Sequence, residues 1–527
     1  MSTGWTLPVT IPVDDLWDLV EWRCARTPDA TFLSSAHGPS LTFSEYRHAS
    51  VEVAAALAAE GTSPGAVVAW QLPTEMEAAV LIGACSWLRI IQVPLLTSYR
   101  QRELEAVARQ THPDLLVVPR TWREYDHAAL ADHVRTAEPR TSILVVDGNL
   151  PVAHPGTRSR PPAPSGVTTQ WVFYTSGTTA EPKGVRHRDS TVIAAAIGTS
   201  EASLQTQEDV YLLVTPIAHV GGVIALCSGL ITGCRSVLVP RYEPADLVEL
   251  VEQHGITLAA APLTVQRAFL DAHRNEPQRR RFASVRAFPI GGAPKPPELH
   301  WQIRREIGGT GLLSGYGMTE CPIATKNRVG DPDEKLAATE GRPTRGVDVR
   351  VVPLGAPSPE GDGPDGDGPD RDGEVRVRGP QLFAGYVDQS LDEAAFDDEG
   401  YFRTGDLGRL DADGFLVVTG RLKDIIIRKG ENISAAEVEH LLRRHPVVSD
   451  VAVIGLPDPD TGESCCAVVE VSDPGASLSL ADVTAFLEEQ GLMRQKLPER
   501  LDIVSALPRN AFGKPDKKAL RTVLSHM

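Results

Sequence analysis

Four short segments of this sequence combine residue types that chemistry on a phosphorylated small molecule would need. In residues 171–184, WVFYTSGTTAEPKG, a β-branched and aromatic run breaks into small and hydroxyl residues, and a lysine follows. Small residues let backbone N–H groups approach an anion, hydroxyls rotate to meet phosphate oxygens, and the lysine adds a mobile positive charge. The order Lys183-Gly184 departs from the Gly-Lys-Ser/Thr of a Walker loop. Read alone, the segment is equally well a hydroxyl-rich surface loop. In residues 314–320, SGYGMTE, glycines free a tyrosine ring to lie against a flat ligand, while Thr319 and Glu320 place a hydroxyl and a hard carboxylate nearby. A lone carboxylate beside phosphates suits Mg²⁺, although a Gly-Tyr-Gly turn by itself is common.

The other two segments lie further along. Residues 401–408, YFRTGDLG, and 420–430, GRLKDIIIRKG, bring Asp406, which can accept both hydroxyls of a ribose, and Arg421, which can reach the same sugar. The bland reading is a turn aspartate and solvated charges. Residues 507–515, LPRNAFGKP, carry Lys514 on a glycine turn, and a lone lysine there is ordinarily a surface charge.

The elements that must position these groups are legible around them. Between about residues 60 and 320, apolar runs that barely alternate (66–72, 114–119, 142–148, 236–240) are spaced by helical patterns such as 75–87 and 246–255. Such spacing predicts βαβ units and a parallel sheet covered on both faces. From 345 to 420 the texture becomes short strands and turns, as in GVDVRVVP and GEVRVRGP. After Gly420 the order strand (424–430), helix (435–444), two strands, helix (480–490) and strand (500–508) predicts a small α+β domain. Residues 355–373, GAPSPEGDGPDGDGPDRDG, are nearly devoid of apolar side chains and predict a disordered surface loop. Their spacing is not that of an EF-hand.

Composition bounds the partners. The 527 residues are 42% hydrophobic and 23% charged, which suits a globular protein with a large core, and the net charge of −17 argues against a phosphate-tracking nucleic-acid binder. Seven cysteines without CxxC spacing read as reduced cytosolic thiols. The N-terminus lacks a basic, apolar leader and the longest apolar runs are too short for a membrane helix. The expectation is a cytoplasmic protein.

Taken together, at this order and spacing, the four segments resemble the adenylate-forming superfamily of acyl-CoA synthetases, luciferases and peptide-synthetase adenylation domains, from the Leu41-Thr-Phe-Ser-Glu-Tyr stretch to Lys514. GRLKDIIIRKGENISAAEVE (420–439) is most similar to the acyl-CoA synthetase branch. The resemblance implies an α/β fold: a large N-terminal domain (1–422) of doubly wound, mostly parallel sheets with a small barrel-like region, and a mobile C-terminal α+β domain (423–527). It implies a phosphate loop of Thr175, Ser176, Gly177, Thr178, Thr179 and Lys183, with Thr175 among the catalytic groups, and an adenine site of Tyr316 beside Gly291, Gly292 and Ala293. Thr319 would contact phosphate, Glu320 would hold Mg²⁺, and Asp406 and Arg421 would bind ribose. Lys514 would be the catalytic lysine, Lys423 the interdomain hinge, and Gly430 part of the coenzyme A path, with Lys429 a surface charge.

The acyl pocket would lie along Thr215-Pro-Ile-Ala-His-Val-Gly-Gly-Val-Ile224, with His219 gating or lining it (or simply a core histidine), Gly221 and Gly222 leaving room for a bulky acid, and Gly317 across from them. No carboxylate stands there for an α-amine, which points to a fatty, alicyclic or aryl acid. ATP, Mg²⁺ and coenzyme A follow as co-reactants. Ile427 stands where some branches carry a lysine that assists thioester formation. Two other readings stay open: an adenylating enzyme of secondary metabolism that passes its acyl group to a carrier-protein thiol, or to a nitrogen nucleophile such as nitrite, and a nucleotide-binding protein without turnover.

Overall fold

In the computed structural model the described residues are 11–525 except 12, 14, 157–158, 167, 176–181, 293–294, 355–371, 429–430, 459–461, 474–476, 491, 493 and 511–512. The acidic Gly/Pro/Asp stretch therefore falls almost wholly outside them. By packing, the chain divides into one unit of residues 1–349 and 377–402 and a second of 350–376 and 403–527.

The first unit carries a six-stranded sheet in the order Lys183–His187, Trp171–Thr175, Ile91–Pro94, Val67–Trp70, Leu115–Pro119, Ser142–Val146. The four central and outer pairings are parallel, and only Trp171–Thr175 with Lys183–His187 is antiparallel. Strands such as LLVVP are buried at every position, because helices cover both faces; this is why the sequence shows apolar runs and no alternation. A second sheet, Val210–Leu213, Arg235–Leu238, Thr31–Ser35 and Ser40–Thr42, is parallel but for its last pair. Two apolar cores lie around these sheets, one containing Trp70, Trp171 and Phe32, the other Phe269 and Phe288, and strands of the second sheet contribute to both.

Short strands extend the second region toward the chemistry-bearing segments. Phe288–Pro289 runs parallel to Leu312–Leu313, and Gly315–Met318, Cys321–Lys326 and Arg342–Pro343 form a small antiparallel sheet directly after it.

The second unit holds a four-stranded sheet ending in the hairpin Phe402–Leu410 and Leu416–Arg421. It also holds a five-stranded sheet, with Arg500–Val504 parallel to Gly462–Val471. Helices Ala435–Leu442, Leu480–Glu489 and Lys517–Leu524 pack beside the latter, on cores containing Val438, Val483, Leu487 and Leu520. The predicted α+β order after Gly420 is observed. No described helix is long and apolar enough to cross a membrane.

Candidate active site

The phosphate-loop candidates begin on a hairpin. Thr175 and Lys183 face one another at the end of the antiparallel pair, so the chain must turn between them. The turn itself, with Ser176, Gly177, Thr178 and Thr179, lies outside the described residues. Opposite the hairpin, residues 384–387 run along its second strand: Arg186 donates to the Gly385 carbonyl at 3.0 Å, and the Ala384 and Val387 amides donate back to Arg186 and Gly184 at 2.8 Å. Gly184 allows this approach, since a Cβ there would stand 2.8 Å from Val387 Cγ2.

That pairing delivers a residue the sequence reading did not single out. Tyr386 is 4% exposed and donates its hydroxyl to Glu320 Oε1 at 2.8 Å, while the Lys183 ammonium lies 5.3 Å from its ring centre. Burial, then the Glu320 carboxylate, push the Tyr386 phenol far above its ordinary range, so it stays a hydrogen-bond donor. The cation over the ring face adds an attraction of about 1 kcal/mol. Glu320 is held from a second side by its own carbonyl, which accepts from the Phe383 amide at 2.9 Å. A Gly-Tyr step within a strand-edge turn, Gly385-Tyr386, was the available signal, and it is too common to carry weight.

Thr319 is fixed from below. Its carbonyl accepts from His187 Nε2 at 2.8 Å, and His187 Nδ1 meets Thr191 Oγ1 at 2.8 Å. Burial pulls His187 down to about 4, against the opposing bond to Thr319. The ring is therefore neutral near pH 7, and because a carbonyl only accepts, its proton sits on Nε2.

Gly291-Gly292 and the Gly315–Met318 strand lie together. The Ile290 amide donates to the Leu313 carbonyl at 3.0 Å, and a Cβ built on Gly291 would meet only the Gly315 carbonyl, at 3.7 Å. Gly292 has φ +78° and, among the described residues, nothing within 4 Å of such a Cβ, so the space beside it is open. Ala293 lies outside the described residues. A flat ring fits beside such bare backbone, and Glu320 offers a hard carboxylate of the kind Mg²⁺ takes together with phosphate oxygens.

Two glycines read differently from expectation. The room anticipated beside Gly222 is taken by the chain itself: a Cβ there would stand 2.3 Å from the Pro216 carbonyl oxygen. Gly317 likewise lies 1.9 Å, on the same measure, from the Pro322 carbonyl oxygen. At both positions the backbone approaches so closely that a side chain would have to displace it. Gly221 is looser, with His219 Nδ1 at 3.2 Å from the built Cβ. His219 is the N-cap of helix Val220–Thr232, and its Nδ1 accepts from the Gly221 amide at 3.0 Å.

In the second unit, Asp406 and Arg421 are direct cross-strand partners, 2.8 Å apart, with the aspartate side chain 7% exposed and the arginine 49%. Lys514 is exposed on a tight loop. Gly513 turns at φ +74°, the Asn510 amide donates to the Lys514 carbonyl at 2.8 Å, and Asn510 Oδ1 accepts from the Lys514 amide at 3.1 Å. The Lys423 backbone starts from the Arg421 end of the hairpin, in a short 3₁₀ turn over Leu422–Asp424. Gly430 lies outside the described residues.

Comparison with known proteins bears on the whole chain. A family described as AMP-binding enzyme matches residues 20–387, and one described as AMP-binding enzyme C-terminal domain matches 437–514. The medium-chain fatty-acid–CoA ligase of Escherichia coli K12 is 32% identical over 521 residues, covering 96% of this chain and 90% of that protein. The salicyl-AMP ligase / salicyl-S-ArCP synthetase of Mycobacterium tuberculosis is 32% identical over 513 residues, covering 94% and 88%. Among solved structures, o-succinylbenzoate coenzyme A synthetase of Bacillus subtilis in complex with ATP and magnesium ion superimposes with a TM-score of 0.81 at 27% identity, covering 95% of this chain and 98% of that one.

Proposed function

The chain belongs to the AMP-binding enzyme family, and from that premise we propose how its own residues divide the labour of an AMP-forming acid–CoA ligase. The enzyme activates a carboxylic acid with ATP and passes the acyl group to the thiol of coenzyme A. A carboxylate and a triphosphate repel strongly in a dry site, so the first half-reaction needs positive charge and donors aimed at the phosphates. Thr175, the loop after it, and Lys183 meet the phosphates; Thr319 adds a hydroxyl; Tyr316 and the bare Gly291-Gly292 wall take the adenine. Glu320, oriented by Tyr386, holds Mg²⁺, which when bound neutralises phosphate charge. Asp406 and Arg421, released from one another, take the ribose hydroxyls.

Lys514 stabilises the charge that builds as the acid oxygen attacks the α-phosphorus and pyrophosphate departs. The AMP of the resulting mixed anhydride is a good leaving group, and the thiol displaces it. One domain cannot present Lys514 and a thiol channel together, so the functional boundary is placed at 422/423, with Lys423 as hinge between half-reactions and Gly430 on the thiol path. The acid is fatty, alicyclic or aryl, since His219 and the 215–224 stretch offer no carboxylate for an amine.

The observation that carries this reading is the buried Tyr386–Glu320 hydrogen bond with Lys183 over the same ring: a carboxylate and a cation are held on one aromatic side chain. A pooled panel of acids with Mg-ATP, with and without coenzyme A, read by mass spectrometry, tests it. Acyl-CoA formed only with coenzyme A is expected; AMP release with no thioester would shift the acceptor to a carrier-protein thiol or a nitrogen nucleophile.

A further inference from the structure

Gly291 and Gly292 are the softest part of the site by residue type, yet the chain is tied down on either side of them. Glycine loses more conformational freedom on folding than any other residue, and Gly292 turns at φ +78°. Before the pair, Phe288–Pro289 runs in parallel register with Leu312–Leu313, and the Ile290 amide donates to the Leu313 carbonyl at 3.0 Å. After it comes Lys295, whose side chain is 2% exposed. The Lys295 ammonium donates to Ser314 Oγ at 2.6 Å and to the Thr339 carbonyl at 2.7 Å, and stands 3.7 Å from Glu340 Oε1. The stretch therefore leaves the neighbouring chain at residue 313 and is bonded back to it at residue 314. Ser314 is a firm anchor. It is buried, its hydroxyl donates to Asn327 Oδ1 at 2.7 Å, its amide donates to the same oxygen at 3.2 Å, and its carbonyl accepts from the Asn327 amide at 2.8 Å. The strand Gly315–Met318, with Tyr316, begins at the next residue.

None of the steps assigned above uses Lys295. Burying an ammonium is costly unless its partners are complete, and an apolar chain would fill the same space without that demand. Burial indeed pulls Lys295 below its ordinary range, with Glu340 opposing. What the lysine adds is a directed bond from the segment after the two glycines to one residue of the facing chain. We propose that Lys295 is a positioning residue for the base of ATP: through Ser314 it sets the spacing between the Gly291-Gly292 backbone and the strand that carries Tyr316. The inference rests on the adenine site assigned above. With its donors spent on protein oxygens, Lys295 acts through Ser314 and the glycines, and the base is left to the groups they place. The cost of ordering two glycines is then met when the protein folds and not again when the nucleotide binds, which is how a pre-organised site gains affinity.

The test compares two ligands by calorimetry in the presence of Mg²⁺: ATP, and ribose 5-triphosphate, which keeps the phosphates and the sugar and lacks the base. Wild type, Lys295→Met, Ser314→Ala and the double variant are measured, with the Tm of each and with AMP release from a pooled panel of acids. Lys295→Met is expected to weaken ATP by about tenfold, the scale of leaving a short glycine turn to be ordered on binding, and to leave ribose 5-triphosphate unchanged. Ser314→Ala moves the same ratio in the same direction, and the double variant is no worse than Lys295→Met, because both substitutions remove one shared bond. Equal losses for the two ligands, or an unchanged ATP affinity, overturn the inference. A fall in Tm with the ratio preserved also overturns it, because the lysine then only holds the fold together. Additive losses in the double variant do the same. If Lys295→Met does not fold, Ser314→Ala decides alone, and an unaltered ratio there counts against the inference. A wild type that binds both ligands alike has no base site, which removes the adenine assignment and the inference together. A ratio that depends on Lys295, with no AMP released from any acid, keeps the inference and sinks the ligase reading.

Discussion

The two units hold their reactive groups in opposite ways. In the first, Glu320 is clamped by Tyr386 and by the Phe383 amide, Thr319 by a buried neutral histidine, and Lys183 by strand register and an aromatic face. In the second, Lys514 stands exposed, its backbone tied to Asn510 just after the positive-φ Gly513, and Asp406 is paired with Arg421. The first is pre-organised before substrate arrives; the second delivers a single long cation. Pre-organised donors lose little when charge develops, whereas an exposed lysine must be brought up and ordered. The contrast suits the proposed division of labour, in which the nucleotide site serves both half-reactions and Lys514 only the first.

Variants can break or sharpen this contrast. The largest effect is expected of Lys514→Ala: acyl-AMP formation falls by at least about a hundredfold, the scale of losing one transition-state donor, while thioester formation from supplied acyl-AMP is kept. Single-turnover assays of the two half-reactions separate these outcomes, and equal losses in both would remove the division of labour. Next, Gly222→Ala is expected to destabilise the protein by about 2 kcal/mol through overpacking against the Pro216–Ile217 backbone, readable as a drop in the urea midpoint. If it instead only narrows the range of acids accepted, Gly222 lines the pocket after all.

Tyr386→Phe removes one hydrogen bond to a carboxylate, so KM for Mg-ATP is expected to rise about tenfold with the thiol half-reaction little changed. An unchanged KM would mean that Glu320 needs no orienting. The smallest effect concerns acid. His187 titrates near 4 when folded and near 6.5 when unfolded, so its contribution is whole above 6.5 and is lost as pH falls toward 4. His127 behaves the same way, while Asp189, raised by burial to about 6, gains stability as pH falls and offsets one of them. His187→Gln should leave the remaining pair nearly balanced. The expected outcome is an unfolding free energy, from urea titrations, that changes less steeply between pH 6.5 and 4 than that of wild type, by no more than about 1.4 kcal/mol per pH unit. An unaltered slope would show that His187 is charged when folded.

Several parts of the site were legible because they are local. The hydroxyl-rich turn after a β run, the Gly-Tyr-Gly step, the lysine on a glycine turn and the apolar strands each occupy one continuous stretch, and period and composition report such stretches directly. Glycine was the ambiguous letter. Gly222 was read as room for an acid and is a site of close backbone contact, as is Gly317, while Gly291 and Gly292 border open space; sequence records the missing side chain but not what stands opposite.

By itself, then, the sequence determined the parallel α/β character of the first part, the α+β order after Gly420 and the family to which the chain belongs, because periodicity and side-chain type are properties of neighbours along the chain. Only the tertiary structure decided that Tyr386 meets Glu320 across 66 residues, that His187 holds Thr319 across 132, and that the buried Lys295 reaches Ser314. Those pairings are set by strand register and by where two distant segments are forced together, and hydrogen bonds and buried charges obey distance in space, which the order of residues does not encode.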